Sequence, residues 1–547
     1  MTYILQLISS PPPTRQRGLI RKQPHRALHN EDILREIFQW LSPMSDLPAK
    51  TLFRTATVCK LFSEHALDLL WRELDDLIPL LQLLSSSFVR VVLESSSTYL
   101  DFPNHLCRHV KHAFVLCGRI KDEEWLRFQY YARRIRRLIF HNTTDRIHPS
   151  VFYRLSRQAS GKPLLPTLVS LHWFQYSPDT QIISFLSGSL TNLAITLGSY
   201  RNPFDEALSE EDEVFKDIFS ALRAKSPFLR SFTFTGPVTS SLLVSETETM
   251  DLQSLHIHYP QIPLRALHRF ANMDNLVTLA VNLPGMMHAE TVTCDFPCLR
   301  TLEVAGELQT ITRFLEAVSS PCLEELVTKV PTSTSAPVAE NYRQCFEVLR
   351  TRFSASLESI VFQGTRNAWN ADSPSLPAAS KQILEPLLCI HQLKRLELTF
   401  PRTIPLELTN EDVQAMALSW PRVTVLDIYY PGPVSAVYPS VYSLVSFASH
   451  CPKLHTVSLP CLDTPAVPSL GLPAPPVCWH GLQELLIPNQ LVSVTDADSV
   501  ACFLDCLFPC LDVTSLGSEE CLGDQWECVR RKMYYLQKSR SMMPVVG

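Results

Sequence analysis

Between Ile135 and Ile487 one apolar spacing, Leu-x-x-Leu-x-Leu with Ile, Val, Phe and once each Trp or Thr admitted, recurs thirteen times. The units are Ile135–Phe140, Leu168–Trp173, Leu190–Ile195, Leu229–Phe234, Leu252–Ile257, Leu276–Val281 and Leu299–Val304. They continue at Leu323–Thr328, which is imperfect, and at Leu357–Phe362, Leu393–Leu398, Val423–Ile428, Leu454–Leu459 and Leu482–Ile487. Successive units begin 22 to 39 residues apart. The end of each motif has the period of two of a strand, whereas stretches between motifs, such as Ile311 to Val318, carry helical spacing. One strand and one helix cannot bury their own apolar sides. Stacked neighbours can, and they share one continuous core.

The punctuation between units agrees. A Pro stands two residues ahead of the motif at Pro166, Pro227, Pro297, Pro321, Pro421 and Pro452, where it stops the helix before the next strand. Thr409 to Asp412 reads as a capping box opening a helix over Val413 to Ser419. Strand–helix alternation also fits a doubly wound sheet, but so many units with one motif favour a solenoid. The pattern resembles the leucine-rich repeat, with units often longer than usual. Many such repeats place an Asn three residues after the motif, and this chain has Pro237, Pro260, Pro284, Pro401 and Pro431 there. Pro ends a strand but donates no hydrogen bond, so an irregular solenoid without an Asn ladder is expected.

Ahead of the repeats lies helical grammar of another kind. Asn30 can cap a helix with Glu31 and Asp32 in its first turn, followed by Ile33, Leu34, Ile37, Phe38 and Leu41 on one stripe. Pro43 ends it; Asp46 and Pro48 open a second helix with Leu52, Ala56, Val58 and Cys59 on its stripe. A third carries Phe62, Ala66, Leu67, Leu70 and Trp71. Three short helices cannot bury all these side chains on one another, which calls for a protein partner. Leu28, Asp32 to Phe38, Leu41, then Val58 to Phe62, then Leu70 to Leu74 resemble the F-box, especially as it occurs in mushroom-forming fungi. His29 stands where that family usually has Pro.

The resemblance implies a substrate-recognition subunit of an SCF-type E3 ubiquitin ligase, itself non-catalytic. It would bind a Skp-type adaptor, and through it a cullin and a RING subunit, while the repeats hold a target protein. Leu28, Ile33, Leu34, Ile37, Phe38, Leu41, Val58, Phe62 and Trp71 would make the adaptor contact or the packing beneath it. The alternative is a repeat scaffold with no ligase link. The expected fold class is α/β: a three-helix module, then a solenoid with a parallel concave sheet and outer helices. The expected division is a disordered basic tail over 1–26, an F-box over 27–75, a helical linker or cap over 76–130, the solenoid over 131–515, and a C-terminal helix and tail over 516–547.

Positions between and after the last two motif residues should face the concave side. Phe174, His256, His258, Asn282, Glu303, Glu397, Asp427 and Tyr429 are therefore candidate substrate-reading residues, set against ordinary solvated strand positions. Arg133, Arg134, Arg136 and Arg137 could dock an acidic or phosphorylated segment, but a solvated strand edge is the plainer expectation. The basic residues from Arg15 to Arg26 fit either a nuclear-localisation patch or a solvated leader, and the leader is preferred. The acidic run Glu206 to Glu213 reads as a loop with a capping box, Ser209 to Asp212, opening the next helix.

Other chemistry is scarce. With 15 Gly the chain has little material for a phosphate-cradling loop, and P-loop, dinucleotide-binding, metalloprotease and serine-hydrolase motifs are missing. No cofactor and no metal are expected: His256 and His258 lack a third ligand, and Cys502, Cys506 and Cys510 look like core thiols. The sixteen Cys read as reduced core residues of an intracellular protein of cytoplasm or nucleus. A net charge of −5 gives no field for nucleic acid, and no apolar run is long enough for a membrane span.

Overall fold

A computed structural model of the chain describes residues 30–41, 49–93, 111–141, 147–175, 179–197, 208–236, 238–259, 261–285, 293–331, 339–364, 378–401, 404, 406–430, 438–465, 480–488, 494, 496–516 and 524–542. The chain forms two units, Met1–Pro260 and Gln261–Gly547. Fourteen parallel repeat strands run in sequence order, six in the first unit and eight in the second. A doubly wound sheet reverses its strand order partway, and neither unit does. The fold is an α/β solenoid of the leucine-rich-repeat type, as the motif spacing predicts.

All thirteen motifs lie on these strands. Their apolar positions are buried throughout, for example Leu168, Leu171 and Trp173 in the first unit and Leu299, Leu302 and Val304 in the second. Register is held by one recurrent device. The carbonyl of the second motif residue accepts two consecutive backbone N–H groups from the following unit. Arg136 O accepts from Val169 and Ser170 at 2.8 and 2.9 Å, and Arg300 O accepts from Glu324 and Glu325 at 2.8 and 2.9 Å. Val169, Thr191, Arg230, Glu324, Glu358, Lys394, Thr424 and His455 repeat it. Unit is thus tied to unit by backbone carbonyls at the start of each strand.

The same ladder exposes a unit that the sequence reading missed. Arg72 O accepts from the N–H groups of Arg136 and Arg137 at 2.8 and 3.0 Å, and Glu73–Leu74 pairs in parallel with Arg137 and Leu138. Trp71 thus occupies the first motif position and Leu74 the fourth, both buried. The helical pattern of the sequence places these residues in the N-terminal module; in the structure they form the first rung of the solenoid.

The N-terminal helices are α1 (Glu31–Leu41), α2 (Ala49–Ala56) and α3 (Lys60–Leu70). The expected cap is in place: Asn30 Oδ1 accepts from the Asp32 N–H at 2.9 Å. Leu34, Phe38, Ala56 and Ala66 form a small core, with Leu52, Leu61, Phe62 and Leu69 packed against it. Val58 and Cys59, expected on the stripe of α2, lie beyond its end in an exposed turn.

Three other expectations are corrected. Residues 76–130 are not simply helical: between one turn at Ile78–Leu81 and the helix α4 (Asp122–Ala132) lies an antiparallel ribbon, Phe88–Leu93 with Lys111–Leu116. The Val and Phe content of both segments suits a pleated surface better than a helix. Ser209 to Asp212 opens no helix, since Leu208–Lys225 already contains it. The Asp212 carboxylate instead accepts from the N–H and hydroxyl of Thr239, at 3.1 and 2.8 Å, just ahead of the helix Ser240–Thr247. The capping box at Thr409 and Asp412, by contrast, is formed. Finally, nine of the thirteen described Cys are exposed, including Cys502, Cys506 and Cys510. Cys502 and Cys506 lie on the outer side of the helix Ala497–Leu507, while Val500, Leu504 and Leu507 face inward, and Cys510 lies beyond the end of that helix.

Candidate protein-docking surfaces

The first candidate surface is the outer side of α1. Its acidic first turn suits the positive end of the helix, and its apolar residues divide cleanly. Leu34 and Phe38 are 1% and 4% exposed and face the small core. Ile33 and Ile37, one turn apart and so on one side, are 40% and 43% exposed. Val58 is 66% exposed in the turn after α2. Phe62 is half-buried and meets Phe38 edge-on, ring centroids 6.0 Å apart. Trp71 is wholly buried against Tyr131, centroids 4.6 Å apart. So of the nine residues expected at an adaptor contact, Ile33, Ile37 and Val58 stand at the surface, while Leu34, Phe38 and Trp71 are packing. Leu28 and the side chain of Leu41 lie outside the described residues.

The second region is the joint between α3 and the first repeats. Arg134 was expected on a solvated edge, but its side chain is only 4% exposed. Its guanidinium donates to the carboxylates of Glu64 and Asp68, both on α3, and to the Glu64 carbonyl at 3.3 Å, and it lies over the Tyr130 ring at 4.5 Å. Tyr130 in turn donates to Glu64 at 2.7 Å. Burial works to raise the Glu64 carboxyl. Hydrogen bonds from Arg134 and Tyr130 and the Arg134 and Arg133 charges outweigh it and hold the group below the usual carboxylate range. This clamp ties α3 to α4. Glu64 and Asp68, one turn apart on the polar side of α3, were the sequence signal for it, but nothing local marked Arg134 as their partner.

Beside the clamp lies a cavity of about 920 Å³ reached by Arg35, Arg72, Arg133, Arg134, Arg136 and Arg137. Arg136 Nη1 donates to the Thr167 carbonyl at 3.1 Å, and Arg137 is 3.9 Å from Glu73.

The third candidate surface is the half-exposed face of the repeat strands. Phe174, His256 and His258 lie on it in the first unit, and Asn282, Glu303, Glu397, Asp427 and Tyr429 in the second. In the first unit Phe174 packs on His141, centroids 5.2 Å apart, with His172 one pleat away. Burial, then the charges of Arg137 and His141, lower the His172 pKa, so this ring is neutral at pH 7. His256 and His258 are 6.3 Å apart by centroid, and His256 Nε2 bonds the Ser254 hydroxyl at 2.8 Å. In the second unit Glu397 and Asp427 sit directly across from each other, with Arg395 2.7 Å from Glu397. Glu303 pairs with Lys329 at 2.5 Å. The face is mixed in charge, suited to a polar protein surface with aromatic anchors. Among the described residues, no group of three or more His, Cys, Asp or Glu is arranged to hold a metal ion, and no helix is long and apolar enough to cross a membrane.

No family model matches the chain, and no curated protein does. Several solved structures are similar at low identity. An internalin from Listeria monocytogenes is 10% identical with a TM-score of 0.32, over 74% of this chain and 86% of that one. The structure of a TLR13–ssRNA13 complex is 12% identical with a TM-score of 0.28, over 75% and 51%. A leucine-rich-repeat protein of Leptospira interrogans is 13% identical with a TM-score of 0.24, over 56% and 83%.

Proposed function

We propose that the chain is the target-recognition subunit of an SCF-type ubiquitin ligase. The F-box resemblance is carried by Leu28, Asp32 to Phe38, Leu41, Val58 to Phe62 and Leu70 to Leu74, and the observation that supports it is the division of α1. Ile33 and Ile37 form an aliphatic pair at the surface, while Leu34 and Phe38 hold the helix to its own module. A Skp-type adaptor helix would cover that pair, extended by Val58, and would link the chain to a cullin and a RING subunit inside the cell. An interface of roughly 1,200–2,000 Å² with a few central anchors would suffice. The subunit itself performs no chemistry. It raises the effective concentration of a target lysine near the ubiquitin thioester, a gain set by geometry. The half-exposed strand face of either unit, with Phe174 and His256 in the first or Tyr429 in the second, would receive the target.

A second reading is a protein-interaction scaffold in which the N-terminal helices only cap the solenoid. The direct run from α3 through Trp71 into the first rung favours it. Affinity purification separates the two. Under the ligase reading the wild-type chain recovers adaptor and cullin, and Ile37→Asp, a change at a surface position that leaves the fold intact, loses both. If wild type recovers no adaptor the ligase reading falls. If Ile37→Asp retains the adaptor, the α1 face is not the contact.

A further inference from the structure

The cavity at the joint of α3 and the first repeats has a charge balance that its own carboxylates do not close. Six arginines line it, against the three carboxylates of Glu64, Asp68 and Glu73. Two of those carboxylates are consumed by Arg134. Glu73 lies 3.9 Å from Arg137, both side chains being well exposed. Arg35 is 3.5 Å from Asp32. Among the described residues, Arg72, Arg133 and Arg136 form no ion pair with a carboxylate, although the Arg133 charge acts on Glu64. A net surplus of positive charge is thus concentrated in one concavity of a chain whose net charge is −5. Guanidinium groups keep their charge at every relevant pH, and their forked donors match a tetrahedral oxyanion. The wall behind them is tied together by the Arg134 clamp and by the carbonyl ladder at Arg72, which limits the ordering that a ligand would have to impose.

We infer that this cavity is a binding site for a phosphate-bearing ligand, held by Arg72, Arg133 and Arg136 with Arg35 and Arg137 at its rim. The ligand enters a space of about 920 Å³, large enough for several linked groups. Because the site joins α3 to the first repeats, occupancy would stiffen the joint between the helical module and the solenoid. The inference does not depend on the ligase reading. Two sources carry the same chemistry, a free polyphosphate and a phosphorylated peptide side chain.

Isothermal titration calorimetry on the full chain at low salt tests this, with inorganic pyrophosphate, with a Gly-phosphoSer-Gly-phosphoSer-Gly peptide, and with its unphosphorylated twin. Wild type should bind at least one phosphorylated probe saturably and ignore the twin. Pyrophosphate binding alone assigns a free polyphosphate; tighter peptide binding assigns a phosphorylated segment. The Arg72→Gln/Arg136→Gln variant should weaken binding at least about tenfold, by loss of two charge-assisted contacts. Glu73→Gln, which adds to the surplus, should strengthen it about twofold. Arg300→Gln, in the other unit, should change nothing. Saturable binding of neither probe overturns the inference. So does unchanged affinity in the double variant, or weakening by Glu73→Gln in a protein with wild-type melting behaviour.

Discussion

Replacing Arg134 by Met tests whether α3 is strapped to the solenoid by charge or merely leans on it. Met keeps most of the buried stem volume, so the loss is confined to the guanidinium. That group makes two charge-assisted bonds, to Glu64 and Asp68, one bond to the Glu64 carbonyl and a stacking contact on Tyr130. Fully buried bonds of this kind would each be worth about 1.5–3 kcal/mol. Here the Glu64 and Asp68 side chains are 53% and 58% exposed, so both can be rehydrated and each contact falls to about 0.5–1 kcal/mol. The ring contact adds about 0.5 kcal/mol. The expected cost is about 2 kcal/mol, roughly a thirtyfold rise in the opening equilibrium. Since the chain comprises two units, a single unfolding transition is not assumed, and local opening is the proper observable. Amide hydrogen exchange by mass spectrometry should show that loss in peptides covering Lys60–Leu70, with peptides covering Asn410–Ser419 unchanged. Unaltered protection in α3 would refute the reasoning, as would an equal loss in both segments. A pH arm follows from Glu64. Its pKa is lowered in the folded chain, so its contribution is complete above the ordinary carboxylate range and is lost as pH falls through the folded value. Protection of α3 should drop at acid pH in wild type, and less in Arg134→Met.

Two further outcomes concern the repeats. Thr328 is buried in the imperfect motif with its hydroxyl unpartnered, so Thr328→Val should raise stability by about 1 kcal/mol, read as a higher melting temperature; no rise would mean the hydroxyl is satisfied. Asp179 is raised to about 6 by burial, despite the Gln181 N–H it accepts at 3.0 Å. A carboxyl raised on folding stabilises below its unfolded pKa and loses that contribution as pH rises through about 6. Asp179→Asn should therefore melt higher than wild type at pH 7.5 and differ little at pH 4; the opposite order would show that the ionised form is the favoured partner.

What could be read from residues alone was whatever depends on local period. The spacing Leu-x-x-Leu-x-Leu marked thirteen strands because each burial position repeats within six residues, and the Thr409 and Asp412 capping box needs only four. The rung at Trp71 to Leu74 is hidden in the sequence because the same residues complete a helical pattern, and only pairing with Arg137 and Leu138 distinguishes the two. Ile33 and Leu34 are adjacent and equally apolar. The rotation of α1 against Ala56 and Ala66 buries one and exposes the other, which is a tertiary fact. Arg134 and Arg136 are likewise alike in sequence. One is locked beneath Glu64 and Asp68, across more than sixty residues of chain, while the other faces the cavity beside it. Period is written along the chain, so strands and helices are legible there. Which arginine is neutralised depends on carboxylates brought from elsewhere, and that was decided only when α3 closed on the first repeats.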